Sequence, residues 1–89
     1  MARIEVTQQD TETFEVTVRQ TTTTTHLVTL SRDYLQKLTR GRVSPETLIE
    51  KSFEFLLERE SNTMILERFD LPVIGHYFPE YEKNIIKNF

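Results

Sequence analysis

The chain contains no cysteine, no tryptophan and only two glycines among its 89 residues. Without cysteine, neither a disulfide framework nor a thiolate metal site is possible. Two isolated glycines exclude a glycine-rich loop of the kind that holds phosphate groups. No apolar run approaches the roughly 20 residues of a membrane span, and the first residues lack the pattern of a signal peptide. These absences predict a soluble, cytoplasmic protein without membrane contact.

Signals for catalysis or metal binding are weak. His26 and His76 lie far apart in the chain, and no serine lies in a recognisable nucleophile turn. His76 and Glu80 have the i, i+4 spacing of a metal-ligand pair, but Pro79 interrupts the helix that this spacing needs. Four glutamates spaced four apart are interpreted as a solvated helix face: Glu46, Glu50, Glu54 and Glu58. We therefore expect no enzyme activity, no metal and no cofactor.

The composition changes near residue 30. Ten of the thirteen threonines lie in the first 29 residues, where valine is also frequent, and both residue types favour strands. Leucine, glutamate, lysine, arginine and phenylalanine, which include good helix formers, dominate from Ser31 onward. We expect a single domain over residues 1–89, β-rich in 1–30 and helical in 31–89, with a proline- and aromatic-rich tail.

Three segments have strand character. Residues 13–20 alternate between apolar and polar side chains, residues 3–8 repeat the pattern, and residues 25–30 follow it less cleanly. The sequence leaves open whether the first two pair with the third in the same chain, and whether the Thr21–Thr25 run is ordered. If all three pair, one face of the sheet is apolar and needs a cover of helices. That face consists of Ile4, Val6, Phe14, Val16, Val18, Val28 and Leu30.

Two helices have clear start signals. Ser31 is a good N-cap for a helix that ends before Gly41, which accepts a positive φ. Ser44 and Pro45 supply a second N-cap and first helical position, and this helix is predicted to continue to about Glu60.

The remaining residues predict shorter elements. Asn62 is expected to cap a short helix, the tail to form one or two helical turns, and a last helix to include Ile85 and Ile86. Together these patterns predict an α+β fold, namely a small antiparallel β-sheet of two or three strands followed by three or four helices.

The segment from residue 25 to residue 60 resembles a ribbon-helix-helix domain. A strand ending in Thr29-Leu30-Ser31 leads into a short helix, then Gly41-Arg42-Val43-Ser44, then a longer helix. In that family, which includes bacterial repressors and antitoxins, two chains pair their strands into a ribbon that enters the DNA major groove. The resemblance implies DNA contacts from the outward strand residues and from the turn before the second helix. The candidates are Thr25, Leu27, Thr29, Arg40, Arg42 and Ser44.

The tail supports a different function. It is similar to a small uncharacterised bacterial protein family, which implies no activity. Its large apolar side chains either complete the core or form a patch that contacts another protein. The candidates are Phe69, Ile74, Tyr77, Phe78 and Tyr81. We expect a small non-catalytic domain that acts in protein interaction or oligomerisation, as a homodimer or with an unidentified protein partner. Ribbon-helix-helix DNA binding is the alternative.

Overall fold

The structure is a computed structural model that describes residues 2–89. It contains four strands, four α-helices and one 3-10 turn, so the predicted α+β class is confirmed. No helix in the described residues is long and apolar enough to cross a membrane. The elements are β1 (Arg3–Gln8), β2 (Thr13–Arg19), β3 (Thr23–Thr29), α1 (Arg32–Thr39), α2 (Pro45–Leu57), the 3-10 turn (Asn62–Met64), β4 (Arg68–Asp70), α3 (Val73–Tyr77) and α4 (Tyr81–Ile86).

The sheet has the order β1-β2-β3-β4. The first three strands form the predicted antiparallel meander within one chain, with Val6 opposite Val16 and Val16 opposite His26. The prediction of a wholly antiparallel sheet with at most three strands is wrong, because β4 adds to β3 in parallel orientation. A three-residue strand is too short to show alternation, which is why the sequence predicted only helix there.

One face of the sheet forms the core. Phe14, Val16, Val18 and Val28 are completely buried, and the apolar residues of the helices pack with them in one cluster. Ile4 and Val6 on the edge strand are only partly buried. The opposite face carries threonine, glutamate and arginine side chains that are exposed or partly exposed. The sheet is therefore covered on one side only, as antiparallel sheets often are.

Both predicted N-caps are confirmed. The Ser31 hydroxyl accepts a hydrogen bond from the Tyr34 amide at 3.1 Å, and the Ser44 hydroxyl accepts one from the Thr47 amide at 3.2 Å. Helix α1 ends where Arg40 adopts the left-handed conformation with φ 55°, followed by Gly41 with φ 73°. Helix α2 ends at Leu57, which is earlier than predicted.

Asn62 has a different role from the predicted one. It begins a 3-10 turn, and Ser61 occupies the N-cap position before it. Its side-chain amide points into the protein and donates to the Thr22 carbonyl at 2.7 Å and to the Thr24 hydroxyl at 3.0 Å. The Thr21–Thr25 run is therefore ordered, since its last three residues belong to β3 and Asn62 binds the turn before them.

Candidate functional site

Four large apolar side chains are strongly exposed: Met64 at 69%, Tyr77 at 66%, Leu66 at 47% and Ile86 at 46%. The first three line one groove with a volume of about 150 Å³. Its floor contains Phe69, Ile74 and Phe78, and Glu60 lines its wall. We call this feature, formed by the 3-10 turn, the segment before β4 and helix α3, the tail groove.

The exposure of Met64 and Leu66 follows from the local backbone. Met64-Ile65-Leu66 are three consecutive apolar residues, and Ile65 adopts an extended conformation with ψ 137° after the 3-10 turn. Successive side chains of extended backbone point in opposite directions. Ile65 is buried in the core, so its two neighbours are left on the surface. Sequence reasoning placed these residues on a short helix and did not identify them as a site, although three apolar residues in a row were the available signal.

Buried polar contacts hold this segment in place. The Nδ1 atom of His26 lies 2.7 Å from the Leu66 carbonyl oxygen, which can only accept, so Nδ1 carries the proton. The Nε2 atom forms a second hydrogen bond, with the Thr24 hydroxyl at 2.9 Å. The His26 ring packs against Phe53, with ring centroids 5.5 Å apart. The histidine is thus a structural residue that fixes the groove wall to β3.

Strand β4 fixes the floor of the groove. The Leu27 amide donates to the Glu67 carbonyl at 2.7 Å, and the Leu71 amide donates to the Thr29 carbonyl at 2.9 Å. This pairing turns Phe69 toward the core, where its ring lies 6.0 Å from that of Phe53. Phe69 is therefore almost completely buried, and only a part of it contributes to the groove surface.

A second set of contacts fixes Phe78 at the end of α3. Its ring meets the Phe55 ring edge-on at 5.9 Å. The Arg59 guanidinium lies 3.6 Å from the centroid of Phe55 and contacts the Glu80 carboxylate at 3.3 Å. A guanidinium stacked on an aromatic ring gains a cation–π attraction. These contacts hold the turn after α3 against α2 and so position Phe78 in the groove.

Glu60 is the charged residue of the groove. Its carboxylate has no ion pair or side-chain hydrogen bond within residues 2–89. Partial burial among apolar neighbours raises the pKa of Glu60 above its ordinary value. From the sequence, Glu60 was predicted only as the approximate end of the second helix. An unpaired carboxylate beside exposed apolar side chains makes the groove suitable for an apolar group that carries a positive charge.

The five predicted interaction residues divide into two groups. Phe69, Ile74, Tyr77 and Phe78 line the tail groove, and among them Tyr77 is broadly exposed. Tyr81 is completely buried instead, with its hydroxyl 2.6 Å from that of Ser52. Burial raises the pKa of Tyr81, so the phenol stays protonated. Tyr81 belongs to the core and adds nothing to the surface.

The strand residues predicted to contact DNA share one face of the sheet. Thr25, Leu27 and Thr29 all lie on the outer face of β3, as the resemblance implied for their orientation. Strand β3 is hydrogen-bonded to β2 on one side and to β4 on the other. One edge of β3 is therefore paired along its whole length and the other from Leu27 to Thr29, both within the same chain.

The other predicted DNA contacts lie in the turn between α1 and α2. Arg40, Arg42 and Ser44 are exposed there, and Ser44 caps α2 through its hydroxyl. The helices cover the inner face of the sheet, so this turn and the outer face of β3 belong to different layers. The structure does not bring the six residues into one cluster.

The histidine and carboxylate side chains do not assemble into a metal site in the part of the chain that the structure describes, where no group of three such ligands is found. No family model, no curated protein and no solved structure matches the chain. On the surface of the protein, the tail groove is where exposed apolar side chains and an unpaired charge coincide.

Proposed function

We propose that this protein is a small non-catalytic cytoplasmic domain that binds another protein chain through the tail groove. The observation that carries the proposal is the clustering of Met64, Leu66 and Tyr77, three of the four strongly exposed large apolar side chains, around one groove. Scattered apolar residues on a surface need no explanation, but a contiguous apolar patch with a polar rim is typical of a contact with another protein.

The chemistry of the groove agrees with this proposal. Tyrosine is enriched among the residues that contribute most to protein–protein binding, and Tyr77 stands at the rim with two-thirds of its surface exposed. Met64 has a flexible, polarisable side chain that adapts to the shape of a partner. The floor is fixed by β4 and by the Phe55–Phe78 contact, so little order has to be gained on binding.

A site-specific cross-linking experiment tests the proposal. A photoreactive phenylalanine analogue replaces Tyr77 in one variant and Leu27, on the outer face of β3, in the control variant. Both variants are expressed in living cells and irradiated. We expect a discrete cross-linked protein product from position 77 and none from position 27, because the groove is buried in a complex and the outer face is not.

The products also identify the kind of partner. An adduct with twice the mass of the chain is a second copy, and any other discrete mass is a different protein. The proposal is wrong if position 77 gives no discrete product, or if both positions give the same one.

DNA binding remains the alternative proposal. The feature that favours it is the outward alignment of Thr25, Leu27 and Thr29, together with exposed arginines near the end of α1. Arginine contacts to phosphate would make binding fall steeply with salt. Fluorescence anisotropy with mixed duplex DNA at about 50 and 200 mM salt measures this dependence. Salt-sensitive binding that Arg42→Ala weakens would support the alternative, and no binding at the lower salt would reject it.

A further inference from the structure

We propose that the occupant of the tail groove is the outer face of helix α4 of a second copy of this chain. In the resulting twofold dimer, each copy docks its α4 in the groove of the other while α4 stays packed on its own core. The inference rests on the proposed function, because it takes the groove to be a docking surface. It adds the identity of the partner and the residues that the partner contributes, which are Ile86, Lys83 and Lys87.

The first argument is the distribution of exposed apolar side chains. Ile86 is the remaining member of the strongly exposed set, with 46% of its surface open, and it lies on α4 outside the groove. Its neighbour Ile85 is buried in the core, so Ile85 lies on the inner side of α4 and Ile86 on the outer side. A groove lined by Met64, Leu66 and Tyr77 can bury such a side chain, which removes apolar surface of both partners from water.

The second argument is the charge beside Ile86. Lys83 lies one turn before Ile86 on the same side of α4, and Lys87 follows it at the C-cap; both are exposed. Glu82, which also lies one turn before Ile86, is paired with Lys37 at 3.5 Å. Neither Lys83 nor Lys87 forms an ion pair with a described residue. The groove has the opposite character, with Glu60 as an unpaired carboxylate on its wall. An apolar side chain flanked by free cations complements an apolar groove with a free anion.

The third argument is the position of the two surfaces. Helix α3 carries Tyr77 at the groove rim, and α4 begins four residues later and packs against α3. The groove rim and α4 therefore belong to elements that pack against each other. A twofold axis makes both contacts at once and closes the dimer, whereas a rotation that does not close gives open chains of molecules.

Pairing of the edge strand β1 is a less suitable route to a dimer. The cleft beside this edge is lined by Arg3 of β1, by Glu50 and Glu54 of α2, and by Glu58 at its C-cap. Antiparallel pairing of β1 with its copy, about a twofold axis perpendicular to the sheet, would bring these three carboxylates near the same three of the second copy. Like charges brought together in this way oppose association.

Sedimentation equilibrium from micromolar to millimolar protein tests the proposal. We expect the wild-type chain to dimerise reversibly. Ile86→Ser and Tyr77→Ser should each raise the dimer dissociation constant roughly a hundredfold, since loss of one buried apolar contact costs about tenfold and each dimer contains two. Both side chains are exposed in the monomer, so both variants should fold, which circular dichroism verifies. Leu27→Ser, on the outer face of β3, is the matched control and should leave the constant unchanged.

Charge reversal tests the pairing of the two surfaces. Glu60→Lys should weaken the dimer, and the combined Lys83→Glu and Lys87→Glu variant should do the same. A variant with all three substitutions should recover much of the affinity, because the charges are again complementary. Arg68→Glu, a reversal on the outer face of β4, serves as the control for a general effect of net charge.

The outcomes separate this inference from the proposed function. A wild-type chain that is monomeric at every concentration overturns self-docking, while the cross-links from position 77 still decide whether the groove binds a different protein. A dimer that survives either Ile86→Ser or Tyr77→Ser, or that the triple charge reversal does not restore, overturns the pairing of α4 with the groove.

Discussion

The two regions of this molecule, residues 2–60 and residues 61–89, are built in different ways. The first consists of elements of six to thirteen residues whose apolar side chains follow the period of a strand or a helix. The second consists of elements of three to six residues placed by their contacts with the first. The sheet and the first two helices are therefore encoded by local sequence patterns, whereas the groove depends on long-range contacts.

We expect the largest loss of stability from the substitution of a residue in the core that both regions share. Phe14 is completely buried between the sheet and the helices. Phe14→Ala should lower the free energy of unfolding by about 3–5 kcal/mol, because it removes a large side chain and leaves a cavity. Urea denaturation followed by far-UV and near-UV circular dichroism measures the loss. Both signals should change in one transition, and two separate transitions would show that the regions fold independently.

Substitution of Asn62 should affect the two regions differently. Asn62→Ala removes the buried side-chain amide that donates to Val18, Thr22 and Thr24. We expect a loss of about 1–3 kcal/mol. Because these contacts connect the second region to the turn between β2 and β3, hydrogen exchange should accelerate at the Leu27 and Leu71 amides more than within α2.

A matched control for this substitution is Asn84→Ala. The Asn84 side chain donates to the Glu80 carbonyl on the surface of α4, so its loss should change stability little. Equal acceleration of hydrogen exchange by the two substitutions would contradict the role given to Asn62.

The N-cap of α2 offers a test confined to the first region. Ser44→Ala removes the hydroxyl that accepts from the Thr47 amide and should cost about 1 kcal/mol. Thermal unfolding measures the loss, and Ser44→Asp should restore most of the stability because aspartate also caps helices well. If Ser44→Asp lowered the stability as much as Ser44→Ala does, Ser44 would have a function other than capping.

The smallest effect is expected in the turn between β1 and β2. The Asp10 carboxylate accepts from the Glu12 amide at 3.1 Å and from the Thr13 amide at 2.9 Å, which holds the pKa of Asp10 below its ordinary value. Because the pKa of Asp10 is lower in the folded protein, its carboxylate stabilises the turn fully at a pH above the ordinary pKa of the side chain. This stabilisation is lost as the pH falls through the lowered pKa. NMR titration of the side-chain carboxyl should give a midpoint below that of an unstructured peptide, and an equal or higher midpoint would contradict these hydrogen bonds.

The first region could be predicted because its signals are local. The alternation around Val16 identified β2, and Ser31 and Ser44 identified the starts of α1 and α2. Helix α2 was predicted too long, because nothing in the sequence distinguishes residues 58–60 from the helix before them. The geometry that ends it is a turn in which the Arg59 and Glu60 amides both donate to the Leu56 carbonyl.

The second region could not be predicted to the same extent. Strand β4 exists because its backbone pairs with β3, and Asn62 points inward because acceptors from β2 and β3 are within reach. Neither partner is visible from residues 61–89 alone. Four of the five tail residues proposed from the sequence do line the groove. Met64 and Leu66 were missed because their exposure follows from the extended backbone at Ile65, and Glu60 was missed because its position depends on the turn that ends α2.

The contact between α4 and the tail groove is tested most directly by an NMR dilution series of the uniformly labelled wild-type chain. If α4 of one copy occupies the tail groove of another, the amides that shift on dilution should lie at Met64, Leu66 and Tyr77 and along α4, with those of β1 and of the outer face of β3 unchanged. Shifts confined to β1 or to Leu27 would place the contact elsewhere, and an unchanged spectrum at every concentration would contradict the account of this surface as the site where two copies meet.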